Sequence, residues 1–182
     1  MSMEHYGSFV DAGRTIAAVS TPPGVGALAV IRLSGRNAID IVARSFRGRS
    51  LHHVPSRSVS FGRVEALQGQ ILDEVVVTVF REPHSYTGED VVEVSCHGSP
   101  YIINSLLSLY IGEGAQPAGP GEFTMRAFLH GKMDLSQAEA VADLIAAETQ
   151  AAHRLAMQQL RGGIRDAIGE LRSELLHFLS LI

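Results

Sequence analysis

Apolar and polar positions alternate along the first two-thirds of the chain and recur at helical steps along the rest. Residues 15–20 are β-prone and end at Pro22-Pro23-Gly24, which breaks any regular element. Residues 27–33 predict a short apolar strand closed by Ser34-Gly35, and residues 37–46 a helix with Ala38, Ile41 and Val42 on one face and Asn37 as its cap. Residues 51–56 are loop-like. Residues 59–67 alternate as a strand, and Gln68-Gly69 turns the chain into residues 71–80, a hairpin. The run 75–80 is apolar on both faces, which predicts a central strand. A loop over 82–88, with Pro83 and Gly88, precedes a strand over 90–96. Residues 100–111 place Ile102, Leu106, Leu107 and Tyr110 on one helix face and stop at Gly112. The Gly- and Pro-rich run 113–121 ends the β-containing part.

After Gly121 the pattern is helical throughout. Ser136 with Glu139 fits a capping box, and Asp134 with Gln137 is an overlapping alternative. Ala138, Val141, Ala142 and Ile145 then share a face. A longer helix follows, with Ala156, Leu160, Ile164, Ala167, Leu171, Leu175, Phe178 and Ile182 in a stripe that needs partner helices to cover it. Gly162-Gly163 interrupts that stripe. The pattern is still running at Ile182, so the expectation is a fragment, or a helical part completed by another polypeptide. The expected fold class is α+β: a mixed β-sheet with flanking helices, followed by an α-helical segment. The expected divisions are a tail over 1–13, an α+β domain over 14–121 and helices over 122–182.

Composition narrows the choices. At 182 residues the chain is long enough for one domain with a core plus an appendage. The net charge of −4 with eight His is a poor match to a domain that holds polynucleotide by electrostatics alone. The single cysteine, Cys96, excludes an intrachain disulfide and fits a reducing compartment. No basic region followed by an apolar run opens the chain, and no apolar stretch approaches the roughly 20 residues that span a bilayer. The expected location is the cytoplasm.

Candidate chemistry is sparse. Pro22-Pro23-Gly24-Val25-Gly26 precedes a strand, whereas a phosphate loop follows one; no GxxxxGK[ST] occurs, so a tight turn is expected there. Arg32 is a charge within a strand, on the face of Leu28 and Val30. It is either a surface residue at the strand end or a planar fork aimed at an anionic ligand. Glu93 shares a face with Val91 and Ser95. A carboxylate there is solvated or paired, the solvated face being favoured; buried, it would suit a ligand with two adjacent N–H donors. Cys96 alternates inward with Val92 and Val94 as a small core residue. His97 before Gly98 reads as a turn residue, and no second His or carboxylate stands at metal-ligand spacing. Lys132 reads as a solvated loop residue, and Arg126 pairs with Glu122 at i,i+4. No catalytic arrangement and no metal site can be picked out.

Three segments carry a resemblance: Thr15-Ile16-Ala17-Ala18-Val19-Ser20-Thr21-Pro22-Pro23-Gly24 running to Arg32-Leu33-Ser34-Gly35, Ser85-Tyr86-Thr87-Gly88-Glu89-Asp90 running to Glu93 and His97-Gly98, and residues 120–145, PGEFTMRAFLHGKMDLSQAEAVADLI. Together they resemble the N-terminal part of the tRNA-modification GTPases of the MnmE (TrmE) family, over nearly the whole chain after the tail. The resemblance implies a domain similar to the tetrahydrofolate domain of the glycine-cleavage aminomethyltransferase, which binds folate through Arg32, Glu93 and Lys132. It implies a homodimer with folate at the interface, and work shared with the flavoprotein MnmG (GidA), which brings FAD. Methylenetetrahydrofolate would supply the carbon added to the wobble uridine of tRNA. A G domain using GTP, Mg2+ and K+ belongs to the longer family protein, and this chain lacks it. His130 stands where Asn is usual, Ser99 where the second Gly of HGG is usual, and the PPG loop lacks its common Arg. The alternatives are a stand-alone aminomethyltransferase-like folate enzyme and a non-catalytic dimerisation scaffold.

Overall fold

The structure, a computed structural model, describes residues 13–66, 69–162 and, beyond them, 168–169, 171–173 and 176–177. The chain divides into two units, one ending at Arg126 and one beginning at Ala127.

The first unit is built on a mixed seven-stranded sheet. Its strands are β1 (Ile16–Val19), β2 (Leu28–Ser34), β3 (Phe46–Gly48), β4 (Ser58–Glu65), β5 (Ile71–Phe80), β6 (Val91–His97) and β7 (Gln116–Pro117). They lie in the order β3-β4-β5-β6-β2-β1-β7, antiparallel throughout except for the parallel β1–β7 pair. Helices α1 (Ala38–Ser45) and α2 (Pro100–Gly112) cover one face. Ala29, Ile31, Leu33, Val75, Val77, Val79, Val92, Val94 and Cys96 point into that core, against Ile41 and Val42 of α1 and Leu106 and Tyr110 of α2. Each such side chain contributes about 1.5–3 kcal/mol when fully buried. A one-residue slip of β5 would withdraw three valines and insert Glu74, so burial strongly specifies the register.

Several expectations change in detail. β5 lies inside the sheet, between β4 and β6, but it is not buried on both faces: Val76 is 38% exposed where Val75 and Val77 are enclosed. The loop expected over 51–56 contains a turn of 3-10 helix, Leu51–His53. Asn37 stands at the N-cap of α1 without a side-chain capping bond; its backbone N–H instead donates to Thr15 Oγ1 at 3.1 Å. The run 113–121 is not free of strand, because β7 lies within it. The N–H groups of Gln116 and Ala118 donate to Thr15 O and Ala17 O, at 2.8 and 3.0 Å. Pro117 falls between them, at an edge position where no donor is needed. In the turn between β4 and β5, Leu67 and Gln68 lie outside the described residues.

Gly98 explains why a PPG turn and an HG strand end occur together. Its N–H donates to Ala27 O at 3.2 Å and its carbonyl accepts from Gly26 N at 3.1 Å. A Cβ at Gly98 would run into the Gly26 backbone, so only glycine allows this approach.

The helices after Gly121 are α3 (Glu122–Leu129), α4 (Leu135–Ile145) and α5 (Gln150–Leu160). The capping box of α4 is the Asp134–Gln137 one, not Ser136–Glu139. The Asp134 carboxylate accepts from Gln137 N at 2.9 Å, and Gln137 Oε1 accepts from Asp134 N at 2.9 Å. The shared apolar face of α4 is only partly enclosed, Ala138 and Val141 being half-buried and Ala142 exposed. Ala140 is buried and Gln137 Nε2 donates to Leu160 O, while Ile145 is 83% exposed. Helix α5 ends before Gly162, which has φ +87°, a left-handed value that suits glycine at a helix end. Ala156 of the long stripe is buried and Leu171 is exposed. Ile164, Ala167, Leu175, Phe178 and Ile182 lie outside the described residues. Among those described, no helix is long and apolar enough to cross a membrane.

Candidate functional site

The face of the sheet opposite the core carries a cation paired with a carboxylate. Arg32 on β2 lies directly across from Glu93 on β6 in the antiparallel ladder. Both side chains alternate away from the buried rows of their strands. Arg32 Nε and Nη2 donate to Glu93 Oε1 at 2.9 and 2.7 Å. Glu93 is thus paired as well as partly solvated. The two side chains are 26% and 27% exposed. An ion pair this open to solvent contributes only about 0–1 kcal/mol, so fold stability gives little reason for its place mid-sheet. What it provides is fixed orientation. Among the described residues, Glu93 Oε2 and Arg32 Nη1 make no hydrogen bond, leaving one acceptor and one donor aimed from a rigid platform.

Two aromatic rings flank this pair. The Arg32 guanidinium carbon lies 5.5 Å from the centroid of Tyr86 and 5.6 Å from that of Phe123. Both distances suit cation–π attraction. Tyr86 comes from the loop before β6, and Phe123 from the first turn of α3. Sequence reasoning missed both, although each lies in a motif it singled out, because nothing in local spacing places either ring beside a residue of β2.

The two segments that carry the rings also share a buried network of charges. Arg126, with its side chain 1% exposed, uses Nη1 to reach both Glu89 oxygens at 3.0 and 3.1 Å. Its Nη2 and Nε reach Glu122 Oε1 at 3.0 and 3.3 Å. Glu122 also accepts from Arg14 Nη2 at 3.1 Å and from Gly119 N at 2.8 Å. On Glu122, burial alone pushes the carboxyl pKa up. The Gly119 N–H, the Arg126 fork and the Arg14 charge together outweigh it and hold the group below its ordinary 4.5. Ser34 Oγ donates to Glu89 Oε2 at 2.7 Å and stands 2.7 Å from Thr87 Oγ1. Tyr86 Oη and Thr124 Oγ1 share a hydrogen bond at 2.9 Å. The sequence showed the i,i+4 pair of Glu122 and Arg126; it gave no sign of Glu89 as the third member.

Lys132 belongs to the second unit, in the connection between α3 and α4, where it is exposed and its N–H donates to Ala127 O at 2.8 Å. His97 has the carboxylate partner that its sequence neighbourhood lacked. Its backbone N–H donates to Asp73 Oδ2 at 2.8 Å, and its Nδ1 lies 2.7 Å from Asp73 Oδ1. Burial pushes the Cys96 thiol up to about 11, as a core residue rather than a nucleophile requires. Among the described residues no group of three His, Cys, Asp or Glu side chains could hold a metal ion.

Residues 15–132 match the family described as GTP-binding protein TrmE N-terminus, and residues 135–182 the one described as MnmE helical domain. The class is therefore that of the sheet-based N-terminal and helical regions of the MnmE (TrmE) family. Among its relatives, the tRNA modification GTPase MnmE of Cytophaga hutchinsonii is 54% identical over 168 residues, 92% of this chain and 36% of the relative. Proteins of the same name from Parabacteroides distasonis and Enterococcus faecalis are 51% and 48% identical, each over 92% of this chain and 37% of their own length. The chain belongs to the MnmE (TrmE) family. It spans little more than a third of the length of these relatives.

Proposed function

We propose that this chain is the folate-binding region of an MnmE-type tRNA-modifying GTPase, with residues 14–121 as the binding and dimerising part and 122–182 as the first part of the helical domain. The observation that carries this is the Arg32–Glu93 pair, flanked by Tyr86 and Phe123 and left with an unused acceptor and donor. A pterin presents a ring N–H beside an exocyclic amine, the donor pattern a carboxylate accepts. Its flat ring suits contact with aromatic side chains. The glutamyl tail is anionic and matches the charges of Arg32 and Lys132. The residues present therefore fit a reduced folate.

In the bound state the folate, as its 5,10-methylene form, supplies a one-carbon unit. The work of this chain is to bind and orient the donor, with no residue acting as a covalent catalyst. In the longer protein, GTP with Mg2+ and K+ would gate the process. The MnmG partner would contribute FAD, and the product would be an aminomethylated wobble uridine in tRNA.

Calorimetry with 5-formyltetrahydrofolate tests this directly. The wild-type chain is expected to bind. Glu93→Ala removes an acceptor for charge-assisted hydrogen bonds worth about 1.5–3 kcal/mol, a roughly ten- to hundredfold loss of affinity. Arg32→Ala and Lys132→Ala are expected to weaken binding as well. No binding by the wild-type chain would leave a dimerisation scaffold as the better account, and Glu93→Ala binding as tightly as wild type would remove Glu93 from the site.

A further inference from the structure

We propose that Arg126 is a positioning residue: its buried guanidinium, joined to Glu89 and Glu122, holds Tyr86 and Phe123 beside Arg32 so that a flat heteroaromatic ring is gripped there. This rests on the ligand-binding proposal above and extends it from groups that touch the ligand to the group that sets them in place.

Neither aromatic ring is carried by the sheet. Tyr86 sits in the loop between β5 and β6, and Phe123 on a helix that follows a Gly-Pro turn, so no ladder of backbone hydrogen bonds fixes either one. The charged network supplies that restraint. Glu89 lies three residues after Tyr86 in the same loop, and Glu122 immediately precedes Phe123. A single planar fork grips both carboxylates at once, Nη1 on Glu89 and Nη2 with Nε on Glu122. Lysine carries the same charge but offers a point, not a fork, and cannot hold two carboxylates in this geometry. A third tie, between Tyr86 Oη and Thr124 Oγ1, joins the same two elements nearer the rings. Ser34, two residues along β2 from Arg32, donates to Glu89 and so registers the network to the strand that carries the cation.

A buried ion cluster adds little to stability over a well-packed apolar one of the same volume. Its distinctive property is defined geometry, and the two elements it joins are the two that deliver rings to Arg32.

The test uses Arg126→Lys and the double variant Tyr86→Leu/Phe123→Leu. In ligand-free protein, NMR of the Arg32 side chain reads the ring-current shifts produced by the two aromatics. Arg126→Lys is expected to move these signals toward their positions in the double variant. In calorimetry, Arg126→Lys is expected to weaken 5-formyltetrahydrofolate by about tenfold or more, while p-aminobenzoylglutamate, which lacks the pterin, is unaffected. In the double-variant background, Arg126→Lys is expected to cost nothing further, as coupled residues require. Unchanged Arg32 signals, or losses that simply add, would overturn the proposal. Should Arg126→Lys fail to fold, Thr124→Val removes only the hydroxyl tie to Tyr86. It is expected to shift the Arg32 signals in the same direction, and no shift would be equally decisive against the proposal. If the wild-type Arg32 signals respond as expected but 5-formyltetrahydrofolate does not bind, the positioning role stands and the folate assignment falls.

Discussion

Glu122 concentrates the electrostatics of the first unit in one carboxylate. It is 4% exposed, and desolvation works against its charge, yet two guanidinium groups and a backbone N–H leave its pKa lowered from 4.5. A carboxylate with a depressed folded-state pKa contributes stability that is present above the unfolded value. That contribution is lost as pH falls through the folded value. The urea midpoint of the wild-type chain is therefore expected to drop on acidification below about pH 4.5. Glu122→Gln is expected to lower stability at neutral pH by about 3 kcal/mol, the cost of breaking a buried pair, and to flatten that acid slope. A variant that keeps the wild-type slope would show that another group carries it. The pair with Arg126 was legible in the sequence because four residues along a helix make one turn. Glu89 and the Arg14 carbonyl, 37 and 112 residues from Arg126, were not, because only the folded chain brings them near. The same holds for Arg32 and Glu93, each recognisable as a charge within a strand but paired only by the β2–β6 register.

At the scale of elements, periodicity found β1, β2, β4, β5, β6, α1 and α2 of the first unit and failed at the short edge strands β3 and β7, where the cause of structure was not periodic. β7 is two residues long and exists because the edge of β1 offers carbonyls to Gln116 and Ala118. The apolar face of α4 is only partly enclosed, with Ala142 and Ile145 exposed. A polar residue, Gln137, reaches Leu160 O. The sequence offered Ser136 with Glu139 as the capping box at the start of that helix and Asp134 with Gln137 as the overlapping alternative, and backbone geometry selects the alternative. Asp134 has an extended conformation, φ −86° and ψ 176°, as an N-cap needs, whereas Ser136 is already inside the helix and donates to the Asp134 carboxylate at 2.8 Å. Asp134→Ala is thus expected to destabilise the helical unit by about 1 kcal/mol, and Ser136→Ala by a few tenths. Thermal denaturation followed by circular dichroism distinguishes the two, and equal effects would mean that the cap does not limit the stability of α4.

For the whole molecule, family membership was legible before the fold because three sequence motifs serve two close approaches. The PPG turn and the HG strand end meet where Gly98 touches Gly26, and the TGED and GEFT segments meet on Arg126. Side chains that must fit one another across the fold leave a stricter imprint on sequence than a helix or strand does. Assembly is the next level at which the same logic can be tested. If the proposed folate site lies at a twofold interface between copies of this chain, ligand binding and dimerisation are thermodynamically linked, and each must strengthen the other by the same factor. Light scattering over a dilution series is then expected to show a dimer whose dissociation moves to lower protein concentration when 5-formyltetrahydrofolate is added. At a ligand concentration of about 100 Kd, a site present only in the dimer stabilises it by about 2.7 kcal/mol, on the order of a hundredfold in the dimer constant for each site. A dimer indifferent to ligand would place the folate site within a single copy. A monomer that binds folate at every dilution would remove the interface from the mechanism while leaving the Arg32–Glu93 site intact.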